Sequence, residues 1–226
     1  MLKKVLIVFL GIFVLLNFVA MATAQTQAPK DEKKHTTLGK YVTAVEAYEM
    51  WKADPVKVKI IDVRTPEEYS FLGHAAMAFN IPSKLWTGKF EAEKKDFVLD
   101  DNTELEALVK KIATPEDTLL VMCRSGHRSG PVVNRLAQAG FANVYNVVDG
   151  FEGDKVTDDE STFKGKRVKN GWKNSPIPWT YELDQKLVYA TTVIAAPAAA
   201  PAVAPAAAPA AAPAAAPAAA PVPAKK

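Results

Sequence analysis

The chain contains a single cysteine, Cys123, whose neighbours are of the types that activate a thiol. It follows the apolar run LLVM and precedes a short segment of basic, small and hydroxyl residues: Arg124, Ser125, Gly126, His127, Arg128 and Ser129. Arginines and a helix N-terminus lower the pKa of a cysteine from about 8.5 to roughly 3.5–7.5, which makes it a thiolate at neutral pH. A buried structural cysteine does not require such a setting. The pattern therefore favours Cys123 as a nucleophile that attacks an anionic substrate and forms a covalent intermediate.

The six residues after Cys123 are expected to form an anion-binding loop. Gly126 permits the dihedral angles of a tight turn, in which successive backbone N–H groups can converge on one point. A helix that starts directly after the loop adds unpaired N–H groups and partial positive charge. We predict that residues 124–129 bind the substrate of Cys123. His127 could act as the base of a Cys–His pair, but side chains within such a loop point outward, so we expect it at the mouth of the site.

Strands and helices alternate along the segment that must position this loop. Runs rich in β-branched residues at 57–63, 118–122 and 143–148 predict strands, and helical patterns follow at 103–113 and 130–139. Thr65, Pro66 and Glu68 have the spacing of a helix start with a capping box. The alternation predicts an α/β fold with an open, mainly parallel sheet of about five strands and helices on both faces. Ligands bind beyond the carboxyl ends of such strands, where Cys123 is expected.

The remaining parts of the domain carry weaker signals. Residues 90–102 are polar, and we interpret them as a loop with a helical turn. Residues 151–179 are loop-rich and aromatic, which is typical of a segment that packs across one edge of a sheet.

The two ends of the chain differ in composition from this domain. Residues 1–24 have a basic start, an apolar run and an Ala-Thr-Ala site, which predicts a cleaved signal peptide and a periplasmic or otherwise exported protein. The alternative is an uncleaved membrane anchor facing the periplasm, since the apolar run is near the lower end of spanning length. We expect a flexible leader at 25–37, one domain at 38–190, and a low-complexity spacer at 191–226, where prolines are separated by alanines.

Composition argues against several other classes of protein. Of 28 basic and 25 acidic residues, two lysines lie in the signal segment and two at the C-terminus, so the domain is close to neutral and predicts no nucleic-acid partner. One cysteine allows no intramolecular disulfide, and with three scattered histidines it argues against a zinc site. The acidic run at 149–160 lacks the spacing of a calcium loop. We predict no metal and no cofactor.

The segment CRSGHRS resembles the active-site loop of rhodanese-domain sulfurtransferases. The segment IDVRTPEEY, with GHAAMAFNIP, is similar to the family signatures D-V-R-x-P-x-E-[FY] and G-H-I-x-G-A-x-N-I-P, and NVYNVVDGFEGD and NGWKNSPIPW resemble its later segments. The resemblance covers most of the domain. It departs from the family at residues 75–77, which affects the geometry of a turn more than the chemistry. It also departs in the acidic loop GFEGDKVTDDE, which puts the specificity for the donor in question.

The resemblance implies a thiosulfate-type sulfurtransferase in which Cys123 carries a persulfide. The partners would be a small anionic sulfur donor and a cyanide, thiol or protein acceptor, and we expect a monomer. Arg124 and Arg128 would attract the donor, and Ser125 or Ser129 would hydrogen-bond the sulfur. Asp62 and Arg64 would hold the loop from below.

Two alternatives to a sulfurtransferase stay open at this point. Phosphatases with a similar loop have arginine six residues after cysteine, whereas Arg128 comes five residues after Cys123, which favours a loop sized for a single sulfur atom. A non-enzymatic rhodanese module would carry sulfur or bind a partner without turnover, although such modules generally lack the cysteine.

Overall fold

The structure is a computed structural model that describes residues 26–190. The predicted signal peptide at 1–24 and the Ala/Pro-rich tail at 191–226 lie outside these residues, so export and the spacer stay predictions. No helix within 26–190 is long and apolar enough to cross a bilayer.

Five parallel strands form the central sheet, as the sequence predicts. The described residues contain nine strands: β1 (Tyr41–Val42), β2 (Val58–Asp62), β3 (His74–Ala75), β4 (Phe79–Asn80), β5 (Lys84–Glu91), β6 (Asp96–Asp101), β7 (Thr118–Met122), β8 (Val144–Val147) and β9 (Trp179–Thr180). The sheet order is β1-β8-β7-β2-β4, and every neighbouring pair is parallel. Because β7 is central and parallel to its neighbours, its carboxyl end presents the following loop at one edge of the sheet.

Packing on both faces of the sheet buries the central strands. The helices are α1 (Ala44–Ala53), α2 (Pro66–Leu72), α3 (Leu105–Ile112) and α4 (Ser129–Gln138). Leu119 and Val121 of β7 pack with residues of α3 and α4. Leu120 and Met122 point to the other face, where they pack with residues of α1 and with Trp172. This alternation confirms an α/β fold with helices on both faces and fixes β7 as a rigid base for the loop.

Residues 84–101 form an antiparallel hairpin of β5 and β6, so the expectation of a loop with a helical turn at 90–102 is wrong. Both strands are largely exposed, and the sequence therefore lacks the alternation of polar and apolar residues that marks a half-buried strand. Cross-strand pairs hold the hairpin together. Lys84 pairs with Asp101 at 2.7 Å, and the rings of Trp86 and Phe97 meet edge to face at 4.9 Å.

Part of the segment that the sequence predicts to be a flexible leader, residues 25–37, contacts the domain. A 3-10 turn, Glu32–Lys34, packs against the domain, and Lys34 is buried. The Nζ atom of Lys34 donates to the carbonyl of Val148 at 2.9 Å and to Asp154 at 2.8 Å. A buried ammonium group requires such partners, and they anchor the leader against the segment after β8.

A buried ion pair lies at the carboxyl end of β2. Asp62 and Arg64 are both fully buried, and Arg64 donates from Nη2 to Asp62 Oδ2 at 2.6 Å and to the carbonyl of Gly73 at 2.8 Å. The guanidinium lies 4.1 Å from the centre of the Phe151 ring. This pair ties β2 to the start of β3 and to the segment after β8.

Helix α2 begins with the predicted capping box of Thr65 and Glu68, and it contacts the loop after β7 through Glu68. Both carboxylate oxygens of Glu68 accept hydrogen bonds from Arg128 at 2.7 Å. Burial alone would raise the pKa of Glu68, but the hydrogen bonds and charge of Arg128 outweigh it and hold the pKa below its usual value. Helix α2 is therefore linked to the loop by a bidentate, charge-assisted contact.

Removing one partner of the buried ion pair should destabilise the fold more than removing both. Arg64→Met leaves Asp62 unpaired in the interior and should lower the free energy of unfolding by about 3–5 kcal/mol. The double variant Asp62→Asn/Arg64→Met buries no charge and should lose less. Urea denaturation at pH 7 measures both losses, and an equal or larger loss in the double variant would contradict this account of the pair.

The contact between Glu68 and Arg128 should make the free energy of unfolding depend on pH in the acidic range. Folding lowers the pKa of Glu68. Its contribution to the free energy of unfolding is therefore complete above the pKa of the unfolded chain, about 4.3, and is lost as pH falls through the lower pKa of the folded protein. We expect Glu68→Gln, which can still form the capping box, to lose about 1–2 kcal/mol at pH 7 relative to the wild type. This difference should shrink between pH 5 and pH 3 in urea titrations. A difference that stays constant over that range would contradict the prediction.

Candidate active site

Cys123 lies at the carboxyl end of β7, where its sulfur is held by the loop that follows. Its Sγ accepts the backbone N–H of Gly126 at 3.2 Å and lies 3.4 Å from the hydroxyl of Ser129. Gly126 has a φ of +88°, and a Cβ atom there would lie 2.3 Å from the carbonyl oxygen of Val148. Only glycine fits this position, so the turn that directs an N–H at the sulfur depends on it.

The side chain of Asn146, in β8, connects the loop to the leader and to the start of α4. It is fully buried, and its Nδ2 donates to the carbonyls of Gly126 at 3.0 Å and Lys34 at 2.8 Å. Its Oδ1 accepts the hydroxyl of Ser129 at 2.6 Å. The sequence analysis did not identify this residue, although a polar side chain within the apolar strand VYNVV was a usable signal.

The backbone after β8 supports the loop from behind. The N–H of Phe151 donates to the carbonyl of Cys123 at 2.8 Å, and the N–H of Glu152 donates to the carbonyl of Arg124 at 2.9 Å. A Cβ on Gly150 would lie 2.5 Å from the carbonyl oxygen of Cys123, so glycine permits this close approach.

Asp62 and Arg64 lie behind this support and do not hydrogen-bond to the loop directly. Among the described residues, the recorded bonds of Arg64 go to Asp62, Gly73 and Asn80. Its guanidinium reaches the loop through the ring of Phe151. The ring of Phe151 is therefore one contact through which this pair supports residues 123–129.

Both arginines of the loop are paired with carboxylates, a feature that the sequence analysis did not anticipate. Arg124 lies 3.1 Å from Glu152, and Arg128 forms the bidentate pair with Glu68. Burial alone would lower the pKa of Arg128, but Glu68 outweighs this effect and raises it. The loop is consequently less electropositive than two unpaired arginines would make it. The partners are 28 and 60 residues away along the chain, so sequence spacing could not identify them.

His127 lies at the mouth of the site with its side chain 41% exposed. Its Nε2 is 2.7 Å from Oδ2 of Asp31 in the leader, and its Nδ1 is 3.3 Å from the hydroxyl of the buried Ser125. The hydrogen bond with His127 is the main cause that holds the pKa of Asp31 below its usual value. The leader therefore contributes a side chain to the site.

A cavity of about 550 Å³ opens over Cys123. One wall is polar and carries the two arginines of the loop, His127 and Glu68. The hairpin of β5 and β6 contributes three apolar side chains and one carboxylate to the lining: Trp86, Phe97, Leu99 and Asp96. Of these, the last three lie in the segment 90–102 that the sequence analysis had interpreted as a loop.

Comparisons with known proteins identify the family of this domain. The sequence model of the Rhodanese-like domain matches residues 43–156. An uncharacterized protein of Rickettsia prowazekii is 30% identical over 122 residues, which are 54% of this chain and 82% of that protein. Thiosulfate sulfurtransferase 16 of Arabidopsis thaliana is 34% identical over 93 residues, which are 41% of this chain and 70% of that protein. A crystal structure of a protein from M. tuberculosis is 25% identical with a TM-score of 0.49, covering 62% of this chain and 96% of that one.

The family match covers half of the chain and includes the whole segment from α1 to the loop behind Cys123. It agrees with the parallel sheet and with the position of the cysteine loop at its carboxyl edge. The chain belongs to the family of rhodanese-like domains.

Proposed function

We propose that this protein is a sulfurtransferase that moves a sulfane sulfur from a thiosulfate-like donor to a thiophilic acceptor through a persulfide on Cys123. The observation that carries the proposal is the position of the Cys123 sulfur, which accepts the N–H of Gly126 and lines a cavity of about 550 Å³. The Arabidopsis relative named thiosulfate sulfurtransferase supports this chemistry.

The reaction would proceed in two steps that regenerate the thiolate. In the first, the Cys123 thiolate attacks the outer sulfur of the donor, a new S–S bond forms, and the S–S bond of thiosulfate breaks as sulfite leaves with the electron pair. In the second, cyanide or the thiolate form of a small or protein thiol attacks the outer sulfur of the persulfide, and the Cys123 thiolate leaves. The N–H of Gly126 stabilises the Cys123 thiolate before the first step and after the second.

The cavity accommodates this sequence of events. Its volume of about 550 Å³ lies within the range of roughly 300–1,000 Å³ that is typical of small-molecule sites. A small donor can leave before the acceptor enters the same space. We expect a monomer that needs no metal or cofactor, and we propose that the mature protein acts in the periplasm, on the basis of the signal pattern at residues 1–24.

The geometry gives less support to the two alternatives. A phosphatase loop needs an arginine fork that is available to the phosphoryl oxygens. Arg128 comes one position earlier than in that signature, and both of its terminal nitrogens donate to Glu68. A module that carries sulfur without turnover would use the same cysteine, and it differs from the proposed enzyme only in the second step.

Replacing the sulfur atom tests the proposal most simply. Wild-type protein treated with thiosulfate should gain one sulfur atom on Cys123 by mass spectrometry, and it should transfer sulfur from thiosulfate to cyanide. Cys123→Ser should gain no sulfur, and its transfer rate should fall to background. Because serine is close in size, circular dichroism should show an unchanged fold.

Three results would contradict the proposed enzyme. Equal, background-level sulfur transfer by the wild type and by Cys123→Ser would exclude a sulfurtransferase. A persulfide that forms on Cys123 but passes its sulfur to no acceptor would favour a carrier module. Hydrolysis of p-nitrophenyl phosphate that depends on Cys123 would favour the phosphatase.

The pairing of Arg124 with Glu152 should weaken donor binding. Glu152→Gln removes a negative charge beside a half-exposed arginine, so the KM for thiosulfate should fall by about three- to tenfold. The KM for 2-mercaptoethanol, an uncharged acceptor, should not change. Asp159→Asn is the matched control, since it removes an equal charge from the same acidic segment at an exposed position paired with Lys164. A similar fall in KM for both variants, or none for Glu152→Gln, would contradict a specific effect of this pair.

A further inference from the structure

Three polar side chains are hydrogen-bonded in series, and two of them line the cavity: a carboxylate, an imidazole and a hydroxyl. Asp31 Oδ2 lies 2.7 Å from His127 Nε2, and His127 Nδ1 lies 3.3 Å from Ser125 Oγ. His127, Ser125 and Cys123 line the same cavity. Asp31 comes from the leader, outside residues 43–156 that match the family, so it is a feature of this chain beyond the matched domain.

We propose that His127 is the base that removes the proton from a thiol acceptor, and that Asp31 is the positioning residue that orients it. This inference rests on the proposed function, because the thiolate so formed must attack a persulfide on Cys123. It assigns the thiol, rather than cyanide, as the class of acceptor for which the site is built.

The hydrogen bonds define which ring nitrogen can act as the base. A carboxylate only accepts, so the Nε2 atom of His127 must carry the proton that it donates to Asp31. The neutral ring then has its lone pair on Nδ1. The only recorded partner of Nδ1 among residues 26–190 is the hydroxyl of Ser125 at 3.3 Å, a long contact that an incoming S–H group can replace.

The leader is anchored firmly enough to hold Asp31 in place. Asp31 caps the 3-10 turn, because its Oδ1 accepts the N–H of Lys33 at 3.1 Å while Oδ2 faces the imidazole. Three residues later, Lys34 is fixed by its bonds to Val148 and Asp154 and by the Asn146 amide on its carbonyl. The same amide holds Gly126, next to His127, so the acid and the base share one support.

The proposed step balances without an oxidant or a reductant. The thiol gives its proton to Nδ1 of His127, and the resulting thiolate attacks the outer sulfur of the persulfide. A bond forms between the acceptor sulfur and the outer sulfur, and the bond from the outer sulfur to Cys123 breaks. Cys123 leaves as a thiolate, the acceptor becomes a persulfide, and the imidazolium, stabilised by Asp31, returns its proton to water.

The test separates acceptors that must lose a proton from those that need not. The full chain is loaded with thiosulfate, freed of excess donor, and mixed in single-turnover experiments at pH 8 with one of three acceptors. These are 2-mercaptoethanol, a poorly acidic thiol; 4-nitrothiophenol, a thiol already ionised at this pH; and sulfite, which has no proton to lose.

His127→Gln should lower the transfer rate to 2-mercaptoethanol by about tenfold or more and leave the rates with 4-nitrothiophenol and sulfite within about twofold of wild type. Asp31→Asn should show the same pattern more weakly, and Asp31→Glu should restore part of the rate. Glu32→Gln, which changes the adjacent exposed carboxyl group of the leader, is the matched control and should not alter any rate.

Each contrary result overturns the inference. If the variants lowered the transfer rate equally for all three acceptors, His127 and Asp31 would only maintain the loop. If His127→Gln did not lower the rate with 2-mercaptoethanol, His127 would be excluded as the base. Mass spectrometry of the loaded proteins distinguishes these failures from a failure of the proposed function. A persulfide on wild type and His127→Gln with unchanged transfer overturns only the acid–base pair, whereas no persulfide on the wild type overturns both proposals.

Discussion

The buried amide of Asn146 is the interaction on which the geometry of the site depends. It lies in a central strand of the sheet, where a polar side chain is tolerated only if its donors and acceptor are satisfied. Its three hydrogen bonds reach the loop at Gly126, the first turn of α4 at Ser129, and the leader at Lys34. One side chain therefore links the sheet to the loop and the start of α4, and to the leader, which is remote from both in sequence.

The charges around Cys123 are arranged differently from a simple basic cradle. Each loop arginine shares its charge with a glutamate, and two neutral groups contact the sulfur: the N–H of Gly126 and the hydroxyl of Ser129. The N–H of Gly126 is an oriented dipole held in place by the fold, so it needs no rearrangement to stabilise negative charge on the sulfur. The paired arginines also lock the loop to α2 and to the segment after β8.

Much of the fold and the centre of the site could be predicted from local sequence. The strand at 118–122, the capping box of Thr65 and Glu68, and the loop after Cys123 each depend on residues that are close together along the chain. The hairpin of β5 and β6 could not be predicted, because its two strands are largely exposed and its stability comes from cross-strand pairs such as Trp86 with Phe97. Asp31 was missed because a polar leader resembles a flexible one until its long-range contacts are known.

The central claim is that a sulfur atom resides on Cys123 between donor and acceptor, and a burst measurement tests it directly. Rapid mixing of the protein with thiosulfate, without any acceptor, should release one sulfite per molecule of protein at a rate at least as fast as overall turnover. This result is expected because the first S–S bond breaks before the acceptor enters. If sulfite appeared only after an acceptor was added, the transfer would proceed without a persulfide on the enzyme, and the account given for Cys123 would be wrong.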